Sequence, residues 1–378
     1  MIYLDNAATS FPKPPSVIEE QRRCMRQYCG NPARGSHALA MRAAQKIYEC
    51  RCEAAELFGL SNPEGVVFTM NTTMSINILI KGLLRTGGHV LLSDMEHNSV
   101  YRPIYKLARE GRISYDLFPT FPTDPTRTPT QICRTLASLF KPNTQLVIAA
   151  HASNICSATL PITEIGKLCA ERGIPFVVDA AQSAGHIPIH MKESCISALC
   201  VPGHKGLLGP QGCGLMLLSE GLHVDTLIEG GSGFQSLECG MPDEAPERYE
   251  AGTLPTPAIA GLCEGIRFVR QRGVDEIGAH AREMNRYLQE RLLQMPRVTV
   301  YTPHHVGSVL LFNLDGMSSD AVGDSLNRQG ICVRTGFHCS ALGHATLGTG
   351  AGGAVRVSTG YATTKKQMDA LLRAVREL

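Results

Sequence analysis

Between residues 65 and 217, short apolar runs alternate with stretches of helical period, and this alternation restricts the fold more than any other feature. The runs at 65–69, 89–93, 114–118, 145–150, 175–179, 196–201 and 213–218 have the length and composition of buried strands. Segments 75–84, 100–110, 129–140 and 163–172 carry apolar residues at helical spacing. Strand, helix, strand in repetition predicts an α/β fold with a mostly parallel central sheet covered on both faces. The pattern changes after residue 255. Helical stretches 256–272 and 274–295 lead to strands near 298–301, 307–314, 332–334 and 354–358, with helices 319–329 and 365–378 interleaved. That is the pattern of a smaller α+β domain.

A chain of 378 residues exceeds the roughly 100–200 of one usual domain. The expected division is an N-terminal segment 1–15 packing near the small domain, a large domain 16–255, and a small domain 256–378 carrying a loop around Cys339. The stretch 230–252, rich in Gly, Pro and Glu, predicts a long exposed loop.

A net charge of +2 leaves no strong field for nucleic acid or anionic lipid. No apolar run approaches the ~20 residues that span a bilayer. Asp5 stands where a secretory signal would be basic and then apolar, so a cytoplasmic location is expected. Among fourteen cysteines there is no C-x-x-C pair, and Cys50 and Cys52 are too close for a zinc knuckle. Reduced thiols are expected and no metal site, with Cys169, Cys200 and Cys263 acting as small core residues.

In open α/β sheets, ligands bind beyond the carboxyl ends of the strands. Five predicted strand ends carry polar groups: Asn71-Thr72-Thr73, Glu96-His97-Asn98, His151 to Asn154, Asp179 to Gln182, and Gly203-His204-Lys205-Gly206. Asn71-Thr72-Thr73 reads either as a helix cap or as a phosphate cradle. Asp179 either caps the next segment or holds a cationic ring nitrogen. Lys205, among glycines and apolar neighbours, is either a loop lysine or a dry amine able to form a Schiff base. His97 caps a helix, stacks on a ring or moves protons. Cys339 follows Arg334-Thr335-Gly336-Phe337-His338, and the glycine-rich 343–353 after it predicts a mobile, exposed loop. A thiol there, near His and Arg, is either structural or nucleophilic. Arg334 and Arg356 flank it, as surface ion pairs or as carboxylate binders.

These residues resemble the class V aminotransferase-like enzymes of pyridoxal 5′-phosphate (PLP), and within them the cysteine desulfurase / selenocysteine lyase family. The resemblance spans nearly the whole chain, from Tyr3-Leu4-Asp5-Asn6-Ala7-Ala8-Thr9 through 31–37, Glu96-His97, Ser153-Asn154, Val178-Asp179-Ala180-Ala181-Gln182, Gly203-His204-Lys205 and Glu250-Ala251-Gly252-Thr253 to Arg334-Thr335-Gly336-Phe337-His338-Cys339. It implies the PLP-dependent transferase fold, aminotransferase type I. It implies that Lys205 holds the cofactor and moves the Cα proton, that Asp179 pairs with the pyridine nitrogen, that Gln182 meets the ring hydroxyl and that His97 stacks on the ring. Thr72, Thr73 and His204 would hold the phosphate, with Thr253 reaching in from the other subunit of a homodimer. Asn154 and Arg356, with Arg334, His37 and Asn6 nearby, would bind an amino-acid substrate. Cys339 would take sulfur from L-cysteine, leaving alanine and a persulfide for an acceptor protein, with L-selenocysteine as the alternative substrate. The 17 positions from Cys339 to Arg356 resemble the short-loop subgroup.

Three positions depart from the family pattern, and the loop 343–353 lacks the pattern usual after the Cys. Pro202 replaces a frequent phosphate-binding Ser, Phe337 a His, and Ala362 a usual Asn. These departures keep other PLP reactions open: a selenocysteine or C–S lyase, an epimerase or a transaminase. A protein that binds a phosphorylated ligand without catalysis is the non-enzyme alternative.

Overall fold

The fold is given by a computed structural model that describes residues 1–32 and 35–378. Ala33 and Arg34, within the 31–37 motif, lie outside the described residues. The chain opens with β1 (Ile2–Tyr3), α1 (Pro15–Gln27) and α2 (Ala38–Phe58). It then runs through β2 (Val66–Thr69), α3 (Thr72–Leu83), β3 (Gly88–Ser93), α4 (Asn98–Arg109), β4 (Ile113–Phe118), α5 (Pro129–Leu139), β5 (Thr144–Ala150), α6 (Ile162–Ala170), β6 (Phe176–Asp179), β7 (Ala198–Pro202) and β8 (Gly214–Leu218). All seven expected strands form, in the order β2-β8-β7-β6-β5-β3-β4.

Strands β4, β3, β5, β6 and β7 are mutually parallel, and β8 pairs antiparallel with both β7 and β2. Strand residues alternate between two cores. Leu91, Val147, Val178 and Leu199 face α2, α5 and α6, while Val90, Leu92, Ile148 and Val177 face α3 and α4. The period of two therefore serves two apolar faces, which is why these strands read as continuous apolar runs.

Topology places the site. Connections from β3 go outward to β4, and from β5 onward they go the other way, so the strand order reverses between β3 and β5. A crevice opens at such a reversal, beyond the carboxyl ends of the strands. Because β8 returns antiparallel, the 203–213 connection is a turn lying over that same end, and Lys205 sits inside it.

The remainder comprises α7 (Thr256–Arg272), α8 (Val274–Leu292), β9 (Val298–Tyr301), β10 (Val309–Leu314), α9 (Ser319–Arg328), β11 (Ile331–Cys332), β12 (Arg334–Gly336), α10 (Ala341–Leu347), β13 (Ala354–Ser358) and α11 (Lys365–Arg376). Strands β12-β13-β10-β9 form an antiparallel sheet backed by α8, α9 and α11. The expected 332–334 strand is two pieces: β11 pairs with the N-terminal β1, and β12 joins the sheet. Leu4 buries in the core of this second sheet, so the N-terminal segment packs on it. Helix α7 instead buries Ile259, Leu262, Cys263 and Ile266 in a core of the large sheet. Residues 219–255 form no helix or strand, as the loop expected at 230–252 requires.

The stretch 343–353 departs from expectation. Its first half is the helix α10, with Gly343, His344 and Leu347 buried against the rest of the protein. Ala and Leu are strong helix formers, and the buried face outweighs the one glycine inside it. Only 348–353 is a glycine turn, where Gly348, Gly350 and Gly353 adopt positive φ.

Candidate active site

Thr72, Thr73, His97, Asn154, Asp179, Gln182, His204 and Lys205 line one polar cleft at the carboxyl ends of the strands. Each arrives on a different element for a local reason. Asn71 caps α3, its side chain accepting the Met74 N–H at 3.0 Å. The cap is therefore filled by Asn71, and the Thr72 hydroxyl is left buried with no hydrogen-bond partner among the described residues. His97 caps α4 and also faces the cleft. Its Nδ1 accepts the Ser99 N–H at 3.0 Å, which leaves the proton of the neutral ring on Nε2. Gln182 donates to the Ala7 carbonyl at 3.1 Å, tying the cleft to the N-terminal segment.

Lys205 is set by its backbone. The His204 carbonyl receives Ser10 N–H at 3.0 Å, Thr9 Oγ1 at 3.1 Å, Ser10 Oγ at 3.1 Å and Lys13 Nζ at 2.8 Å. The glycines beside Lys205 serve chain packing. A Cβ on Gly206 would stand 2.0 Å from the Ala184 carbonyl oxygen, and one on Gly203 would stand 2.6 Å from that of Cys213.

Burial dominates the electrostatics. It lowers the Lys205 amine to about 8, against the attraction of Asp179 and with help from Arg356 and Arg334. It raises the Asp179 carboxyl, whose Oδ1 accepts the Ala181 N–H at 2.9 Å. It lowers His97 to about 4, with Lys205, Arg334 and Arg356 adding to the effect. His204 also falls to about 4 through burial, and its Nδ1 has no partner among the described residues. The cleft thus holds an amine lowered by burial, a buried carboxylate, and at the start of α3 a hydroxyl with no partner among the described residues.

A second wall comes from the small sheet. Arg356 is 1% exposed, donates to Asp5 Oδ1 at 2.8 Å and to the Asn154 carbonyl at 3.1 Å, and its Nε has no hydrogen-bond partner among the described residues. Arg334 directs Nη2 at Cys339 Sγ, 3.8 Å away. The Cys339 thiol is exposed, and the Cys339 carbonyl accepts the Asn98 N–H at 2.8 Å, one residue beyond His97. Asn6 lies with Gln182 and Lys205 in an adjoining small hollow.

A model of the family described as Aminotransferase class-V matches residues 2–371. The chain belongs to the class-V aminotransferase family. Among relatives of this class-V chain is a protein named probable cysteine desulfurase from Methanothermobacter thermautotrophicus. It is 31% identical over 389 residues, covering 100% of this chain and 94% of that one. A protein named cysteine desulfurase from Salmonella agona is 30% identical over 381 residues, covering 98% and 92%. The apo structure of a cysteine desulfurase from Thermococcus onnurineus superimposes with a TM-score of 0.89 at 28% identity, covering 100% of this chain and 94% of that chain.

Two expected site residues stand apart in this class-V chain. His37 is exposed and caps α2 through the Ala40 N–H. Thr253 is exposed beside Asn31, in a different hollow from Lys205. Three residues without an assigned role prove to shape the site. Asp5 pairs with Arg356 across 351 positions. Lys13 joins the cluster on the His204 carbonyl. Glu96 is fully buried and bonds Ser93 Oγ and the Ala150 N–H, tying the end of β3 to the end of β5. A carboxylate directly before His97 at a strand end was the signal for Glu96; Asp5 had none beyond its place in the 3–9 motif, and Lys13 had none. No group of three metal-ligating side chains occurs among the described residues. A larger hollow of about 640 Å³ lies near Gly65, Ser197 and Leu218, at the opposite end of the strands from Lys205.

Proposed function

We propose that this chain is a PLP-dependent cysteine desulfurase that converts L-cysteine to L-alanine and takes the sulfur on Cys339. The observation that carries the reading is Lys205 and Asp179 in one buried cleft, with Cys339 presented by the adjoining wall. The names of the relatives agree with it.

The residues present fit the cofactor. The buried Thr72 Oγ1 and His204 Nδ1, which have no partner among the described residues, suit a phosphate together with the start of α3. When bound, PLP supplies a ring that accepts electrons from the substrate Cα. Lys205 Nζ, lowered toward neutrality by burial, would hold the cofactor and would move the proton at the substrate Cα. Asp179 would keep the ring nitrogen protonated, a partnership that would offset the burial of its carboxylate. Gln182 and His97, which is neutral at physiological pH, line the cleft and would hold the cofactor ring, Gln182 through its polar edge and His97 by stacking. Thr73 adds to the phosphate cradle, while Pro202 in the cleft offers no donor to it. Arg356, Arg334, Asn154 and Asn6 receive the substrate carboxylate. Cys339 Sγ would attack the substrate sulfur, forming the S–S bond of a persulfide as the Cβ–S bond breaks; that bond's electron pair leaves with the carbon fragment, which takes up a proton at Cβ to become alanine.

The protein works as a homodimer in which Thr253 of each chain completes the phosphate site of the other. Support comes from Thr253 being exposed and away from the cleft of its own chain. Residues 16–255 bind the cofactor, residues 256–378 carry the sulfur acceptor, and residues 1–15 lock the two together. All fourteen cysteines are free thiols and no helix among the described residues is long and apolar enough to cross a membrane, which supports the cytoplasm as its place of work. A sulfur-acceptor protein removes the persulfide.

The test is incubation of holoenzyme with L-cysteine and with L-selenocysteine, each with and without reductant, measuring alanine. Alanine from cysteine that depends on Cys339 supports the reading. No alanine from either substrate would redirect it to another class V reaction.

A further inference from the structure

His338 and Cys339 are consecutive residues in the left-handed region, at φ +51° and +55°, and neither is glycine. Side chains with a Cβ enter this region only where surrounding contacts over-determine it. Three main-chain ties hold the turn. Asn154 Nδ2 donates to the His338 carbonyl at 2.8 Å, the Asn98 N–H to the Cys339 carbonyl at 2.8 Å, and the Ser340 N–H to the Phe337 carbonyl at 2.9 Å.

A fourth tie runs through side chains. His338 is 4% exposed, and its Nε2 reaches the Arg334 carbonyl at 3.3 Å. Its Nδ1 meets His344 Nε2 at 3.1 Å, and His344 Nδ1 meets Thr349 Oγ1 at 2.7 Å. The two imidazoles are nearly coplanar, with 14° between the rings. A carbonyl only accepts, so His338 carries its proton on Nε2 and offers Nδ1 as acceptor. His344 must then donate from Nε2 and accept at Nδ1 from the Thr349 hydroxyl. One carbonyl thus sets the direction of the whole chain. Burial and the nearby Arg356 keep both rings neutral, lowering His338 to about 3 and His344 to about 4. The chain ends on the main chain of Arg334, whose guanidinium faces Cys339 Sγ.

We propose that His344 is a positioning residue for Cys339: by donating to His338 Nδ1 it holds in place the imidazole that ties the strained turn back to Arg334, and so presents the thiol to the substrate. The proposal rests on Cys339 being the sulfur acceptor. Neither histidine is among the residues that line the Lys205 cleft, so His344 acts through the turn.

The test compares His344→Phe, His344→Gln and Thr349→Val holoenzymes with wild type and with Cys339→Ser. Phe keeps a ring but no donor, whereas a Gln amide can place a donor near the imidazole Nε2 and an acceptor toward Thr349. Three readouts are taken: cofactor absorbance, kcat and KM for alanine formation, and iodoacetamide labelling of Cys339 measured against exposed Cys239 on the same chain. For His344→Phe, kcat falls about tenfold while KM and absorbance hold, which marks an interaction that serves the chemical step. Labelling of Cys339 relative to Cys239 changes by about fivefold, and Gln brings both measures to within about threefold of wild type. Thr349→Val gives a smaller loss of about threefold in kcat, and carries the test if His344→Phe does not fold.

Unchanged kcat and labelling in either variant overturn the proposal. So does a loss that Gln does not relieve and that comes with raised KM or lost cofactor. Cys339→Ser separates the two possible failures. If it still forms alanine at the wild-type rate, the assignment of Cys339 falls and the role of His344 with it. If it is inactive while His344→Phe matches wild type, only the role of His344 falls.

Discussion

Arg334 and Arg356 stand directly opposite one another on the antiparallel pair β12–β13. Like charges in that position repel across a sheet. Asp5 neutralises Arg356, and among the described residues no carboxylate pairs with Arg334, which turns to the Cys339 sulfur instead. The wall of the cleft therefore carries an excess of positive charge beside a thiol. That arrangement suits a substrate that brings its own carboxylate.

Removing Asp5 exposes the repulsion. Asp5→Asn should destabilise the protein by about 3 kcal/mol, since it leaves a buried guanidinium without its counter-ion. The shift in urea midpoint at constant slope checks it. The KM for cysteine should rise as Arg356 loses its fixed orientation, while cofactor absorbance stays.

Lys205 should capture PLP with a marked pH dependence. Only the neutral amine attacks an aldehyde, and burial brings this one to about 8. The rate of capture by cofactor-free protein should rise with pH and level off above about 8. An ordinary lysine amine would go on rising toward about 10.4. Stopped-flow absorbance from pH 6 to 10 distinguishes them, and Lys205→Ala should show no borohydride-fixed pyridoxyl group.

Cys339→Ser should abolish desulfuration without touching cofactor binding. A drop in alanine formation of about a hundredfold or more is expected, because the hydroxyl is a far weaker nucleophile than the thiol. Absorbance of the bound cofactor is the control, and mass spectrometry should find the persulfide on Cys339 only in the wild type.

Glu96 makes the stability of the cofactor-free fold fall as pH rises. Burial lifts its carboxyl from 4.5 to about 8, so it is protonated in the fold at neutral pH and ionised in the unfolded chain. The unfolded chain then binds fewer protons, and the slope of stability against pH is negative. The contribution is present in full below 4.5 and lost as pH rises through about 8. Thermal unfolding between pH 4 and 9 should fall less steeply for Glu96→Gln than for wild type.

Much of this was legible along the chain. The strands from β2 to β8 follow from their apolar runs, and α7 and β13 form where periodicity put them, because both patterns are local. The cleft was legible as polar residues recurring just past strand ends. The α10 helix was not, because the glycines around it read as a flexible loop while the burial of His344 and Leu347 depends on distant partners.

Sequence alone determined the two periodicities, the seven strands, and the set of groups at their carboxyl ends, with Asp179 and Lys205 foremost. Those features depend on residues close together in the chain. Only the tertiary structure decided that Asp5 neutralises Arg356 across 351 positions, that α7 packs on the large sheet, and that His344 stands behind Cys339. Burial strips water from these groups and makes each demand a partner, and which partner arrives is settled when the chain closes.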